Sequence, residues 1–208
     1  MLRVTDMDFL VDGPKSAKRT FIFAHGAGGA MDTPWMTRVA RGLAEHGLRV
    51  VRFEFPYMAK RRKGGKRGAP DREPVLLEAW REAVAAQGDP KAIAIGGKSM
   101  GGRMASMVAD ELQIAALVCF GYPFHPPGQP AKTRTAHLKS LKTPTLILQG
   151  ERDPFGTRDD VKGYDLSKRI RVEWLPDGDH SLKPRASSGV TEAENIERAV
   201  TLATKFLI

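Results

Sequence analysis

The sequence predicts an α/β fold, a three-layer, doubly wound and mostly parallel sheet, in a single domain spanning residues 1–208. Three observations carry that expectation. Short apolar runs alternate along the chain with segments of helical period. The runs are continuously apolar, as strands covered on both faces must be. Each parallel pair requires a crossover, which the intervening helical segments supply. With 41% hydrophobic and 27% charged residues, the chain can bury a sizeable core, and no Ser/Gly linker or composition break divides it.

The elements follow in order. Thr20-Phe21-Ile22-Phe23-Ala24 is a strand that stops at the glycine cluster of residues 26–29. Thr33 is an N-cap with Pro34 in the first turn, and Met36, Val39, Ala40 and Leu43 recur at helical spacing until Gly47. Residues 48–55 form the next strand, 60–70 a glycine-rich basic loop, 74–86 a helix and 92–95 a strand. Residues 103–112 place Met104, Met107, Val108 and Leu112 on one helical face, and 114–120 is a further buried strand. Residues 121–143 hold four prolines and read as irregular chain. Strands at 145–148 and 170–175 flank a helix at 159–167, and an amphipathic helix at 190–207 closes the chain.

Composition also excludes. No apolar run approaches the ~20 residues of a membrane span, and the first residues lack the charge and apolar pattern of a secretory signal, so a cytoplasmic location is expected. The lone Cys119 has no partner for a disulfide and no neighbours at metal-ligand spacing, so no metal and no cofactor are expected. Net charge is +9, but six of the positive charges fall within residues 60–67, and without them only +3 remains. A nucleic-acid footprint combines a broad basic face with a reading motif. Only the local run is present, so a nucleic-acid partner is not expected.

The chemistry concentrates at Gly97-Lys98-Ser99-Met100-Gly101, between a strand and a helix. This is G-x-S-x-G, in which a nucleophile on a strained strand-to-helix turn needs near-absent side chains two positions before and after it. The Gly-Lys-Ser element is not a phosphate-binding loop, since that motif requires glycine at position 92, which is alanine. Gly26-x-Gly28 is likewise no dinucleotide fingerprint, because Met31 stands where glycine is required.

A serine nucleophile needs a base and an acid that orients it. Among the five histidines, His180 lies in the turn-forming cluster Asp177-Gly178-Asp179-His180-Ser181 after the last strand, where catalytic groups commonly sit. His46 reads as a helix-terminal residue, and His137 as part of the polar approach to a strand. Asp153 follows the strand at 145–148, with Glu151 and Asp179 as substitutes. The chain order Ser99, Asp153, His180 is that of the α/β-hydrolases. In that arrangement one oxyanion donor is the amide after the nucleophile, here Met100, and the other comes from the loop after an earlier strand, here the Ala27 amide.

On these motifs, His25-Gly26-Ala27-Gly28-Gly29, the serine elbow, Gly150-Glu151-Arg152-Asp153-Pro154 and Gly178-Asp179-His180-Ser181, the chain resembles a minimal α/β-hydrolase without a cap domain. More narrowly, it is similar to dienelactone hydrolase-like proteins and to the hydrolase-like domain of testis-expressed and nonspecific-lethal chromatin proteins. The resemblance covers about residues 20–208 and leaves room for about one strand ahead of Thr20. It implies cleavage of a small carboxylic ester or related acyl substrate through a Ser-His-Asp triad and an acyl-enzyme. The alternative is a catalytically silent interaction module on the same fold.

His25, Gly26 and Gly28 are expected beside the substrate, with His25 structural in character. Tyr122, Phe124 and His125 are expected on one pocket wall, the alternative being a proline-stiffened surface loop. The basic stretch 60–67 is expected at the same sheet edge as Ser99, where it steers anionic esters or stands as a solvated loop.

Overall fold

The computed structural model describes residues 7–66 and 68–208. In chain order the elements are β1 (Phe9–Asp12), β2 (Thr20–Ala24), α1 (Pro34–Glu45), β3 (Arg49–Phe53), α2 (Pro56–Arg62), α3 (Glu73–Ala85), β4 (Ile93–Lys98), α4 (Met100–Val108), β5 (Ala116–Phe120), β6 (Thr145–Gly150), α5 (Arg158–Lys162), β7 (Ile170–Leu175) and α6 (Glu192–Leu207). The seven strands form one sheet in the order β1-β3-β2-β4-β5-β6-β7. Every pairing is parallel except β1 with β3. The expected parallel, doubly wound α/β architecture is therefore present, with its antiparallel strand at the edge ahead of Thr20.

Alternate strand residues feed two cores. On one face Phe21, Phe23, Val118, Phe120 and Leu148 pack against Met36, Val39 and Leu43 of α1 and Ile196, Ala199 and Val200 of α6. On the other, Ile22, Phe53, Ile95, Leu117 and Ile147 pack against Trp80 and Ala83 of α3 and Met104 and Val108 of α4. The period of two along each strand sends neighbouring side chains to opposite faces, and helices on both sides remove them from water. Caps fix where the covering helices begin. Thr33 accepts from the Met36 amide with Pro34 in the first turn, and Thr191 with Glu194 forms a capping box on α6.

The strand order reverses at β2: the chain moves outward to β3, then returns to lay β4 on the other side of β2. The carboxyl ends of β2 and β4 are thus adjacent and part to opposite faces, the crevice where open α/β sheets bind ligands. Gly97 pairs with Ala24 in this register, so Ser99 emerges beside the residue 25–29 loop.

The helix expected at 159–167 stops at Lys162, and two other regions also differ from the sequence expectation. The basic stretch expected as a loop from residue 60 begins inside α2, because Pro56 sets the first turn and Met58 is buried. Arg62, near its end, donates to Glu54 (2.7 Å) and Asp32 (2.9 Å), so this member of the run is neutralised locally. Arg67 lies outside the described residues. Residues 121–143 are irregular, as expected, with only a 3₁₀ turn at Ala136–Ser140. They do not form a surface loop throughout, since Tyr122, Phe124 and Leu138 are completely buried.

Candidate active site

Ser99 joins β4 to α4 with φ 51° and ψ −117°, a left-handed conformation costly for a residue with a side chain. Its neighbours make the bend possible. A methyl group on Gly97 would stand 2.7 Å from the Ala24 carbonyl oxygen, and one on Gly101 2.6 Å from that of His25. Both glycines therefore press the elbow against the end of β2, as the motif demands. Gly102 continues the close packing, with the Cys119 side chain 3.1 Å from where its own side chain would begin.

Asp153 follows β6 and His180 follows β7, so the imidazole must travel back over β6 and β5 to reach β4. At ~4.8 Å per strand that is roughly 14 Å. Glycine ends β6 and directly follows β5: a side chain at Gly121 would lie 2.9 Å from the His180 carbonyl oxygen, and one at Gly150 would collide with the Gly178 and Asp179 carbonyls. The loop crosses where nothing protrudes.

Its crossing brings the three side chains together. The Ser99 hydroxyl lies 2.8 Å from His180 Nε2, and His180 Nδ1 lies 2.8 Å from Asp153 Oδ2. Because the carboxylate can only accept, Nδ1 carries the hydrogen and Nε2 is left as an acceptor facing the Ser99 hydroxyl. Asp153 is fully buried, and its oxygens also accept from the Phe155 amide (2.9 Å) and the Gln149 side-chain amide (2.9 Å). The Phe155 ring packs on the imidazole, 4.2 Å between centroids. Glu151 and Asp179 serve elsewhere: Glu151 pairs with Arg158, and Asp179 accepts from the Ser181 and Lys183 amides.

The β2–α1 loop completes the site. His25 accepts from the Phe55 amide at Nε2 (3.1 Å) and so donates from Nδ1 to the Gly26 carbonyl (2.7 Å). Burial holds its pKa below the usual histidine value, and this neutral tautomer fixes the loop rather than exchanging protons. Tyr57 donates to the Ala27 carbonyl (2.9 Å), and burial pushes its pKa up to about 12. Both contacts engage carbonyls of this loop and leave its amides free of them. Met100 is the first residue of α4, so its amide has no partner within the helix. Among the described residues no backbone bond occupies either amide. The two could receive charge on an oxygen beside Ser99.

A cavity of about 390 Å³ opens over Ser99 and His180, lined by Gly26 to Ala30, Trp35, Met36, Lys98 and Phe155. Of the expected substrate neighbours, His25, Gly26 and Gly28 border it. Tyr122, Phe124 and His125 do not: they are buried beneath the acid-bearing loop, the Phe124 ring against Gly156 and His125 against Asp160. The apolar wall comes instead from Trp35, Met36 and Phe155. The indole of Trp35 bonds the Ser181 carbonyl, 146 positions away, a contact that leaves no local signal in the sequence. Among the described residues no group of His, Cys, Asp and Glu side chains could hold a metal ion, and no helix is long and apolar enough to cross a membrane.

Residues 17–208 match the family described as alpha/beta hydrolase domain. Solved structures share the architecture. An alpha-beta serine hydrolase homologue from Coxiella burnetii aligns with TM-score 0.70 and 22% identity over 96% of this chain and 90% of its own. A dienelactone hydrolase from Anabaena variabilis aligns with TM-score 0.72 and 21% identity, again over 96% and 90%. A serine hydrolase without a lid from Xanthomonas campestris gives TM-score 0.62 and 24% identity over 85% and 81%. The likeness to chromatin proteins rests on the sequence motifs alone.

Proposed function

Because the chain belongs to the alpha/beta hydrolase domain family, we propose that it is a serine hydrolase that cleaves a small carboxylic ester through an acyl-enzyme. The observation that carries this reading is the unbroken hydrogen-bond relay from buried Asp153 through His180 to Ser99, with both links at 2.8 Å. In the reaction His180 Nε2 takes the Ser99 proton as the oxygen attacks the ester carbonyl, and the Asp153 carboxylate stabilises the imidazolium that results. The Met100 and Ala27 amides receive the negative charge of the tetrahedral oxygen, in a region that also gains from the α4 dipole. The imidazolium then protonates the leaving alcohol, and water, deprotonated by the same imidazole, releases the acid and restores Ser99.

A cavity of about 390 Å³ walled by short loops supports small acyl groups, as does the absence of any helical insertion beyond a 3₁₀ turn between β5 and β6. The test is hydrolysis of p-nitrophenyl acetate together with labelling by a fluorophosphonate. Wild-type protein is expected to turn over and to label, and Ser99→Ala to lose both, with kcat down by about four orders of magnitude or more. Labelling that persists unchanged in Ser99→Ala would remove Ser99 as the nucleophile.

A further inference from the structure

Lys98 fills the variable position before the nucleophile, and the relay just described makes no use of it. Its half-buried side chain lines the cavity. The ammonium donates to the His180 carbonyl oxygen (2.9 Å) and to the Ser181 hydroxyl (3.2 Å). It also sits 4.6 Å from the centre of the Trp35 ring, and Trp35 in turn donates its indole N–H to the Ser181 carbonyl (2.9 Å). Two cavity residues thus grip adjacent residues of the loop that carries the base.

We infer that Lys98 is a positioning residue that ties the backbone of His180 to the strand bearing Ser99, and so sets the distance from imidazole to hydroxyl. The inference rests on the serine-hydrolase reading. The loop's internal bonds, from the Ser181 and Lys183 amides to Asp179, shape its turn. The Arg152 amide holds the Gly178 carbonyl (2.9 Å) and the Asn195 side chain holds the Leu182 carbonyl (2.9 Å), which anchors the loop on either side of His180. Lys98 adds the tie to β4, because it is adjacent to Ser99 and reaches the backbone of His180 itself. An ionised donor in a water-poor site makes a stronger hydrogen bond than a neutral one, and the Trp35 face adds a cation–π attraction.

The ionisable groups facing the ammonium are the carboxylates of Asp153, Asp179 and Glu192, and desolvation outweighs them to bring the Lys98 pKa down to about 8. Above that pH the charge and the cation–π contact are lost together.

Lys98→Met retains the bulk of the stem and removes the donors. With p-nitrophenyl acetate at about pH 7, kcat is expected to fall about 10- to 100-fold, the scale set by a small misplacement of reacting groups, while KM stays within about threefold. Fluorophosphonate labelling of Ser99 should slow by the same factor. Wild-type kcat should decline as pH rises through about 8, and the variant should lack that decline. A variant kcat equal to wild type, or a loss confined to KM, overturns the inference. Should circular dichroism find Lys98→Met unfolded, Lys98→Gln, polar and shorter, takes its place: a kcat equal to wild type in that variant overturns the inference. Wild-type protein that neither turns over nor labels defeats the serine-hydrolase reading, and the positioning role with it.

Discussion

Two connections leave the carboxyl edge of the sheet on either side of β4, and they do opposite work. The β2–α1 connection is built from glycines whose backbone borders the cavity, and its one large polar side chain, His25, is turned inward to hold the loop. The β5–β6 connection carries the aromatic and histidine side chains that suggest a binding wall, yet Tyr122 and Phe124 are completely buried. There they form a floor: the Tyr122 amide donates to Gln149, whose own amide supports Asp153. Small residues make the opening and large ones the foundation. Aromatic side chains bury so much apolar area that, unless a ligand is present to cover them, folding places them inside.

Substitutions in the two connections should separate these roles. Phe124→Ala removes a ring packed against Tyr122, 4.8 Å between centroids, and against Tyr164 at 5.7 Å. A loss of about 3–5 kcal/mol is expected in denaturant unfolding. KM should stay within about threefold, since the ring touches no part of the cavity. A large rise in KM with stability intact would return Phe124 to the pocket wall. Ala27→Pro deletes an amide from the opposite connection and should lower kcat about 10²- to 10³-fold with little change in melting temperature. A kcat near wild type would remove Ala27 from the oxyanion site.

Tyr57→Phe is a gentler probe of the same loop. It removes the hydroxyl that holds the Ala27 carbonyl at 2.9 Å, worth about 1 kcal/mol, so kcat should drop about fivefold. The smallest effect concerns His25. Burial lowers its pKa from 6.5, so as pH falls the unfolded chain takes up a proton that the folded site resists. Its contribution to stability is full above about pH 6.5 and fades as pH falls toward the lowered folded value. His137, also lowered by burial, acts in the same direction. Replacing His25 with Gln should therefore flatten, without abolishing, the fall in melting temperature between about pH 7 and about pH 5. An unchanged slope would mean that His25 titrates alike in both states.

What could be read in advance follows from how local each requirement is. Ser99 was legible because its strained turn dictates Gly97 and Gly101 within the same few residues, and chain order then selected Asp153 and His180. The alternation of apolar runs sufficed for the sheet, and the single strand ahead of Thr20 fits the room available. The start of α2 was hidden by the charges and glycines that follow it, although Pro56 and Met58 supply a helical first turn. Trp35, Met36 and Phe155 were not legible, because α1, β6 and the loop after β7 meet only once the sheet is assembled. Lys98 stood in plain view at a motif position that tolerates any side chain, where spacing carries no information.

Cys119, pressed against Gly102 at the foot of the serine elbow, has a further practical meaning. Its thiol is wholly enclosed, and burial pushes its pKa well above the usual range, so it offers almost no thiolate to a maleimide or iodoacetamide. A cysteine introduced at an exposed position such as Ala131 would be the one readily modified sulfur. A fluorophore could then be attached to the native background, with no need to disturb the packing beneath Ser99.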